Sequence, residues 1–296
     1  MQIMKYKKVY IHITLLVMLT SILLLIIFGL KLSIDFTGGS ILKYELDMTT
    51  QSTEIESLTT NIFNSNGVLI ENMGFDEGIF VVRTKPIDAA TSDTLNKAML
   101  DAGIAKSVSF ESIGSVLGYE TLYKSAMALL ISFFAILFYI AYAFRNIPKP
   151  YSSIKFGASA LFAMVHDVLI VLGIFAILGH FFDVEVDILF VTALLTLIGF
   201  SVNDTIVVFD RIRENLLKKK RETFEEITNA SIRETLRRSL STAFTVLVVL
   251  VSLFLLGGDN IRFFVLALII GISTGAYSSI FVASPILVYW ESHKGK

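Results

Sequence analysis

Gly199-Phe-Ser-Val-Asn-Asp-Thr-Ile-Val-Val-Phe-Asp-Arg-Ile-Arg-Glu-Asn215 closes an apolar run that begins near residue 187. It sets a carboxylate, Asp204, inside a segment long enough to cross a bilayer. A charge at that depth costs about 2.5–3.5 kcal/mol on insertion scales, so it needs a partner, a proton or a path to water. An acid in such a position marks a candidate functional site.

The rest of the chain fits a membrane setting. Of its 296 residues 54% are hydrophobic, and the mean hydropathy is +0.71. A soluble domain is nearer 45–50% apolar and does not gather its apolar residues into long runs. Six runs reach the roughly 20 residues that span about 30 Å of hydrocarbon: about 9–30, 121–144, 157–182, 187–209, 239–257 and 263–290. The chain reads as a polytopic helical membrane protein. Pro285 is expected to bend the last span. The first run is too long for a signal-peptide core and has no small-residue cleavage site after it, so it reads as an uncleaved span.

Several chemistries have no residues to support them. The absence of cysteine removes disulfides, thiol nucleophiles and cysteine-ligated metals. His12, His166, His180 and His293 are scattered without metal-ligand spacing, and no phosphate-binding loop occurs. No cofactor, metal, enzymatic activity or nucleic-acid partner is expected.

Charge asymmetry orients the spans. Lys5, Lys7 and Lys8 precede the first; Arg145, Lys149 and Lys155 lie between the second and third. A basic stretch from Arg211 to Arg238 joins the fourth and fifth, within a loop taken as 210–238. The opposite loops carry Asp183, Glu185 and Asp259, with Arg262 the one basic residue near the last of these. The positive-inside rule then puts both termini in the cytoplasm. Tyr10, Tyr142, Tyr289 and Trp290 stand at span ends as interface aromatics do. Within the basic loop, Glu222–Arg238 reads as an amphipathic surface helix suited to anionic lipid.

The expected divisions are 1–30 (tail and first span), 31–120 (one extracytoplasmic domain) and 121–296 (the remaining spans). The domain has strand patterns at 41–46, 68–71, 78–84 and 106–111, with helices at 53–64 and 91–102. Asn72–Glu77 reads as a turn, and Thr53 with Glu56 has capping-box spacing. The order β-α-β-β-α-β is that of a ferredoxin-like α+β domain, a fold that names no function.

Arg238 opens span five from the same side and near the same depth as Asp204, so an ion pair is geometrically reasonable; alternatively Arg238 flanks its span and snorkels to the surface. A carboxylate beside a guanidinium in changing contact with water can load and release a proton. His166-Asp167 near the middle of span three reads as a relay or as a polar scaffold around Asp204. Ser201 and Asn203, with Ser239, Ser241, Thr242 and Thr245, can hydrate a proton path or line close helix contacts. Asp35-Phe-Thr-Gly-Gly39 follows span one, and its Gly38 and Gly39 suit a tight turn or a hinge. Gly271-Ile-Ser-Thr-Gly275 reads as a close-packing face continued by Ser279 and Ala283.

These motifs resemble the SecD/SecF family of the resistance–nodulation–division superfamily. The resemblance rests on Asp35-Phe-Thr-Gly-Gly39, a single outer domain, His166-Asp167, Ser201–Asn215 and Thr235-Leu-Arg-Arg-Ser-Leu240. It implies a SecF-like role beside SecD in a pseudo-symmetric bundle of the bacterial cytoplasmic membrane. It further implies association with SecYEG and factors such as YajC and YidC, and use of the proton motive force to promote late steps of preprotein export. The family's intramembrane acid maps onto Asp204 and its arginine onto Arg238. Other functions stay open at this point: half of a small-molecule exporter of the same superfamily, a non-catalytic assembly factor, or an intramembrane serine protease using Ser273 and His166.

Overall fold

The computed structural model describes residues 2–46, 52–76, 79–103, 105–145, 147–148, 150–218 and 221–292. Lys149, Lys219, Lys220 and His293, and the side chain of Thr53 with its expected cap, lie outside the described parts. Chain contacts separate two units, Met1–Lys31 with Met127–Lys296, and Leu32–Ala126.

A 3-10 turn, Ile3–Tyr6, leads into α1 (Lys7–Phe28). The second unit then follows as α2 (Ile34–Thr37), β1 (Gly39–Leu46), α3 (Ser52–Ser65), β2 (Ile70–Asp76), β3 (Ile79–Thr84), α4 (Ala89–Asp101) and β4 (Ala105–Ile113). The chain continues through α5 (Ser115–Ala143), α6 (Ser153–Phe182), α7 (Ile188–Lys218) and α8 (Phe224–Leu256). It closes with α9 (Asp259–Ser278), a π turn (Ser279–Ala283) and α10 (Ser284–Ser292). Among the described residues six helices are long and apolar enough to cross a membrane, the last being α9 through α10.

In the helical unit α6, α7 and α9–α10 are central: 50%, 44% and 56% of their apolar windows are buried, against 11%, 6% and 17% for α1, α5 and α8. The end that carries the N-terminus holds a buried hydrophobic cluster. Met4, Phe144, Phe156, Phe209 and Ile232 are buried there, with Phe156 edge-on to Phe209 at 5.3 Å. Lys7 pairs with Glu225 at 2.5 Å, and the Met4 amide donates to Asn229 at 3.1 Å.

One expectation about this unit is extended and one corrected. The fourth helix runs past its apolar stretch, which ends near residue 209, to Lys218. Arg211, Glu214, Lys218 and Glu234 form ion pairs along and beside it, and such pairs support helix beyond the apolar run. Glu222–Arg238 is not a separate surface helix. From Phe224 it is the first half of α8, opened by a capping box in which the Thr223 hydroxyl accepts from the Glu226 amide and Glu226 accepts from the Thr223 amide. Its buried face, including Phe224, Ile227, Ser231, Ile232 and Thr235, continues in step through Ser239, so nothing breaks the helix at the first apolar residue.

In the last span the irregularity lies just before Pro285. A proline lacks an N–H and crowds the carbonyl four residues back. The π turn Ser279–Ala283 takes up that mismatch, and the Ser284 hydroxyl donates to the Ser279 carbonyl at 2.8 Å.

The second unit is a four-stranded antiparallel sheet in the order β2-β3-β1-β4. Leu42, Tyr44, Phe80 and Val82 alternate onto one face and bury against Ile55 and Phe63 of α3 and Leu95 and Met99 of α4. β2 corrects the sequence reading: it extends through Asn72–Asp76, the stretch expected to turn. It is an edge strand whose Gly74 has open space beside it, and Phe75 packs on Phe80 at 5.1 Å. Polar residues on the open side of an edge strand mimic a turn in sequence.

Gly38 and Gly39 have φ of +73° and +135°. A Cβ on Gly38 would stand 2.5 Å from Ser115 Cα, and one on Gly118 2.6 Å from the Gly38 amide nitrogen. The glycines are therefore required by contact as well as by turn geometry: the segment after α2 is clamped backbone to backbone against the first turn of α5.

Candidate functional site

Close packing of α9 on α7 builds the site. A Cβ on Gly271 would meet Leu197 side-chain atoms at 2.9 Å, and one on Gly275 would meet Ser201 Cα at 3.3 Å and Asp167 Oδ2 at 3.7 Å. The glycines at four-residue spacing thus bring the α9 backbone onto α7. Beyond Ala276, the residues Tyr277, Ser278 and Ser279 are polar and consecutive. Each reaches a different polar group on α6 or α7.

Ser278 donates to Oδ2 of Asp167 at 2.7 Å, and Ser201 donates to the same oxygen at 2.6 Å. Oδ1 of Asp167 lies 2.9 Å from Nδ1 of His166. Nε2 of His166 meets the Tyr277 hydroxyl at 2.8 Å. His166 and Asp167 are wholly buried, so three hydrogen bonds to the carboxylate offset a desolvation cost of several kcal/mol.

Asp204 is half-buried on α7. Its Oδ1 accepts from Ser239 of α8 at 2.5 Å and its Oδ2 from Ser279 at 2.6 Å. Three helices therefore meet at one carboxylate. Two hydroxyl donors, one per oxygen, match the ionised form. Protonation reverses one of these bonds, since a carboxylic acid must donate. The Ser279 hydroxyl has a second acceptor for its own proton in the Ala276 carbonyl, 3.4 Å away.

Not every expected residue joins this cluster. Asn203 is exposed. The expected Asp204–Arg238 ion pair is absent among the described residues; Arg238 is exposed on α8 and makes no side-chain ion pair there. The reason is angular. Ser239 faces inward and holds Asp204, and its neighbour Arg238 is turned about 100° away. Ser273 is also apart, donating to the Ile269 carbonyl of its own helix at 2.7 Å. Asp167 and Tyr277 occupy both ring nitrogens of His166, so among the described residues Ser273 and His166 do not pair.

Comparison with known proteins adds to this geometry. Residues 93–293 match the family model described as protein export membrane protein SecD/SecF, C-terminal, and residues 23–50 match the SecD/SecF GG motif. A relative from Thermobaculum terrenum named protein translocase subunit SecF is 40% identical, covering 98% of this chain and 94% of its own length. The chain belongs to the SecD/SecF family. A second subunit of that name, from Anaerolinea thermophila, is 35% identical over 99% of this chain and 94% of its own. The crystal structure of SecDF, a translocon-associated membrane protein from Thermus thermophilus, superposes with a TM-score of 0.82 at 31% identity. It covers 99% of this chain, which spans 39% of the SecDF chain.

Within this SecD/SecF chain the GG-motif match takes in Gly38 and Gly39, and the C-terminal match takes in every residue of the polar cluster. The six apolar helices and this family membership fit a multi-pass protein of the bacterial cytoplasmic membrane. Sequence reasoning missed Tyr277 and Ser278. The available signal was three consecutive polar residues inside an apolar span, one residue beyond a G-x-x-x-G face.

Proposed function

We propose that this chain is the SecF-type subunit of a bacterial protein translocase, paired with a SecD-type partner, and that it couples proton movement to preprotein export through Asp204. The carrying observation is a half-buried carboxylate in a membrane helix, held by hydroxyls from two other helices, in a chain whose relatives are named protein translocase subunit SecF. The partnership is favoured by the SecDF structure, of which this chain corresponds to 39%. The remainder is what a partner would supply, and contacts with SecYEG, YajC or YidC belong to the same reading.

In this account both termini are cytoplasmic and the unit Leu32–Ala126, read as ferredoxin-like, is extracytoplasmic. Asp204 alternates between an ionised and a protonated state. The ionised state accepts from Ser239 and Ser279. The protonated state donates to one of them and loosens the junction of α7, α8 and α9. Arg238, on the outer flank of α8, stabilises the ionised state when a rearrangement or a partner acid brings it into reach. Asn203 serves the water side, and His166, Asp167 and Ser201 hold α6, α7 and α9 in register. The Asp35–Gly39 segment, with Gly38 and Gly39, acts as the hinge that passes the movement to the extracytoplasmic unit.

One charge crossing 100 mV supplies about 2.3 kcal/mol, enough to shift a two-state equilibrium nearly fifty-fold. Asp204→Asn is expected to assemble with its partner and to lose gradient-dependent export in intact cells. Export that still responds to the proton gradient in that variant would refute the coupling role.

A further inference from the structure

We propose that Tyr277, His166 and Asp167 form a proton relay that loads a second intramembrane acid, Asp167, from the open flank of the bundle. The relay rests on the reading of this bundle as proton-coupled, but not on Asp204 being the coupling acid.

The three groups make one uninterrupted line. Tyr277 Oη is 2.8 Å from Nε2 of His166, and Nδ1 of the same ring is 2.9 Å from Oδ1 of Asp167. Asp167 and His166 are fully buried, whereas Tyr277 is 36% exposed, so the line passes from the interior to the surface within one side chain. Tyr277 sits one turn beyond Ser273. That serine, with Ala276 and with Leu240, Ser241, Ala243, Phe244 and Leu247 of α8, lines a largely apolar open groove of about 500 Å³. The tyrosine itself is on the exposed side of its helix, not under sealed packing.

The proton steps balance. With the imidazole proton on Nδ1, the ring donates to Oδ1 of Asp167 and accepts the Tyr277 O–H at Nε2. A proton arriving on Tyr277 Oη releases the tyrosine's own proton to Nε2, and the Nδ1 proton passes to Oδ1. Each proton moves one place. Tyr277 ends as a neutral phenol, His166 as the neutral Nε2–H tautomer and Asp167 as a neutral carboxylic acid. The incoming positive charge has cancelled the carboxylate, and the reverse sequence resets the line.

The surroundings of Asp167 tolerate both states. Ser201 and Ser278 donate to Oδ2 at 2.6 and 2.7 Å, and a carbonyl-type oxygen accepts two hydrogen bonds whether or not Oδ1 carries a proton. The cage need not rearrange when Oδ1 is protonated. Among the described residues His166 is the titratable group in contact with Asp167, and Tyr277 is reached through it. From α7 and α9 the carboxylate meets Ser201 and Ser278, which do not titrate. Asp204 is held separately by Ser239 and Ser279.

The test uses the chain assembled with its SecD-type partner in liposomes containing a pH-sensitive dye, under an imposed proton gradient. Tyr277→Phe keeps the ring and removes only the transferring O–H. It is expected to lower proton flux about a hundredfold, the scale of a lost positioned proton-transfer group. Flux equal to wild type in Tyr277→Phe overturns the relay. Asp204→Asn, measured alongside, separates the two ideas. Wild-type flux in Asp204→Asn with loss in Tyr277→Phe refutes the role of Asp204 and leaves the relay standing; the opposite pattern does the reverse. Infrared spectra of the unmutated complex give a second readout that packing alone does not move. A carboxylic C=O band that titrates with pH and disappears in Asp167→Asn supports the relay, and the lack of such a band at every pH contradicts it.

Discussion

Asp204 accepts one hydroxyl on each oxygen, and the donors come from different helices, Ser239 on α8 and Ser279 at the start of the π turn. Removing one partner of a buried polar group costs about 1–3 kcal/mol. Ser279→Ala is therefore expected to lower gradient-driven export about five- to hundredfold while leaving the assembled complex intact; an export assay across a range of pH values checks this. Export unchanged at every pH would contradict it. Asp204, His166 and Asp167 were legible in the sequence because ionisable residues stand out in apolar runs. The hydroxyls that hold them were not, since serine is frequent at helix contacts and its partner depends on how the helices cross. Depth along a helix is readable from residue counts, but azimuth is not. That is why Arg238 was placed level with Asp204 and yet faces away from it.

At the level of elements, the clearest constraint is the clamp at Gly38. Its left-handed φ costs a non-glycine residue about 1–2 kcal/mol, and the Cβ would overlap Ser115 Cα, adding about 1–3 kcal/mol of overpacking. Gly38→Ala is expected to destabilise the unit Leu32–Ala126 by about 2–5 kcal/mol, measured as a lower thermal midpoint and faster proteolysis of the solubilised full chain. A midpoint equal to wild type would show that the clamp is not tight. The cap of α4 gives a pH prediction. Asp88 accepts from the Thr91 amide at 2.9 Å, and hydrogen bonds from Thr91 hold its carboxyl below the usual range. A lowered folded-state pKa adds stability that is complete above the unfolded value near ~3.9 and is lost as pH falls through the folded one. The unit Leu32–Ala126 should lose thermal stability below about pH 4, and Asp88→Asn should flatten part of that loss. The long helices were readable from apolar period and length, whereas the four-residue α2 falls where a turn was expected. Extents were not, because the ion pairs of α7 and the capping box of α8 carry both helices past their apolar runs.

For the whole molecule, hydropathy and charge segregation predict six spans and one polar insert, and among the described residues the structure holds six such helices and a separate α+β unit. What hydropathy cannot rank is centrality. α6, α7 and α9–α10 form the buried middle because their small residues permit close approach: Gly173 against Ser21, Gly271 against Leu197 and Gly275 against Ser201. The polar cluster sits in that middle, where a change of one proton acts on three helices at once. The most direct test is proton flux through the chain assembled with its SecD-type partner in liposomes, comparing wild type with Asp204→Asn. The account predicts flux in the variant no higher than in protein-free vesicles, with the complex still assembled; flux equal to wild type would contradict it.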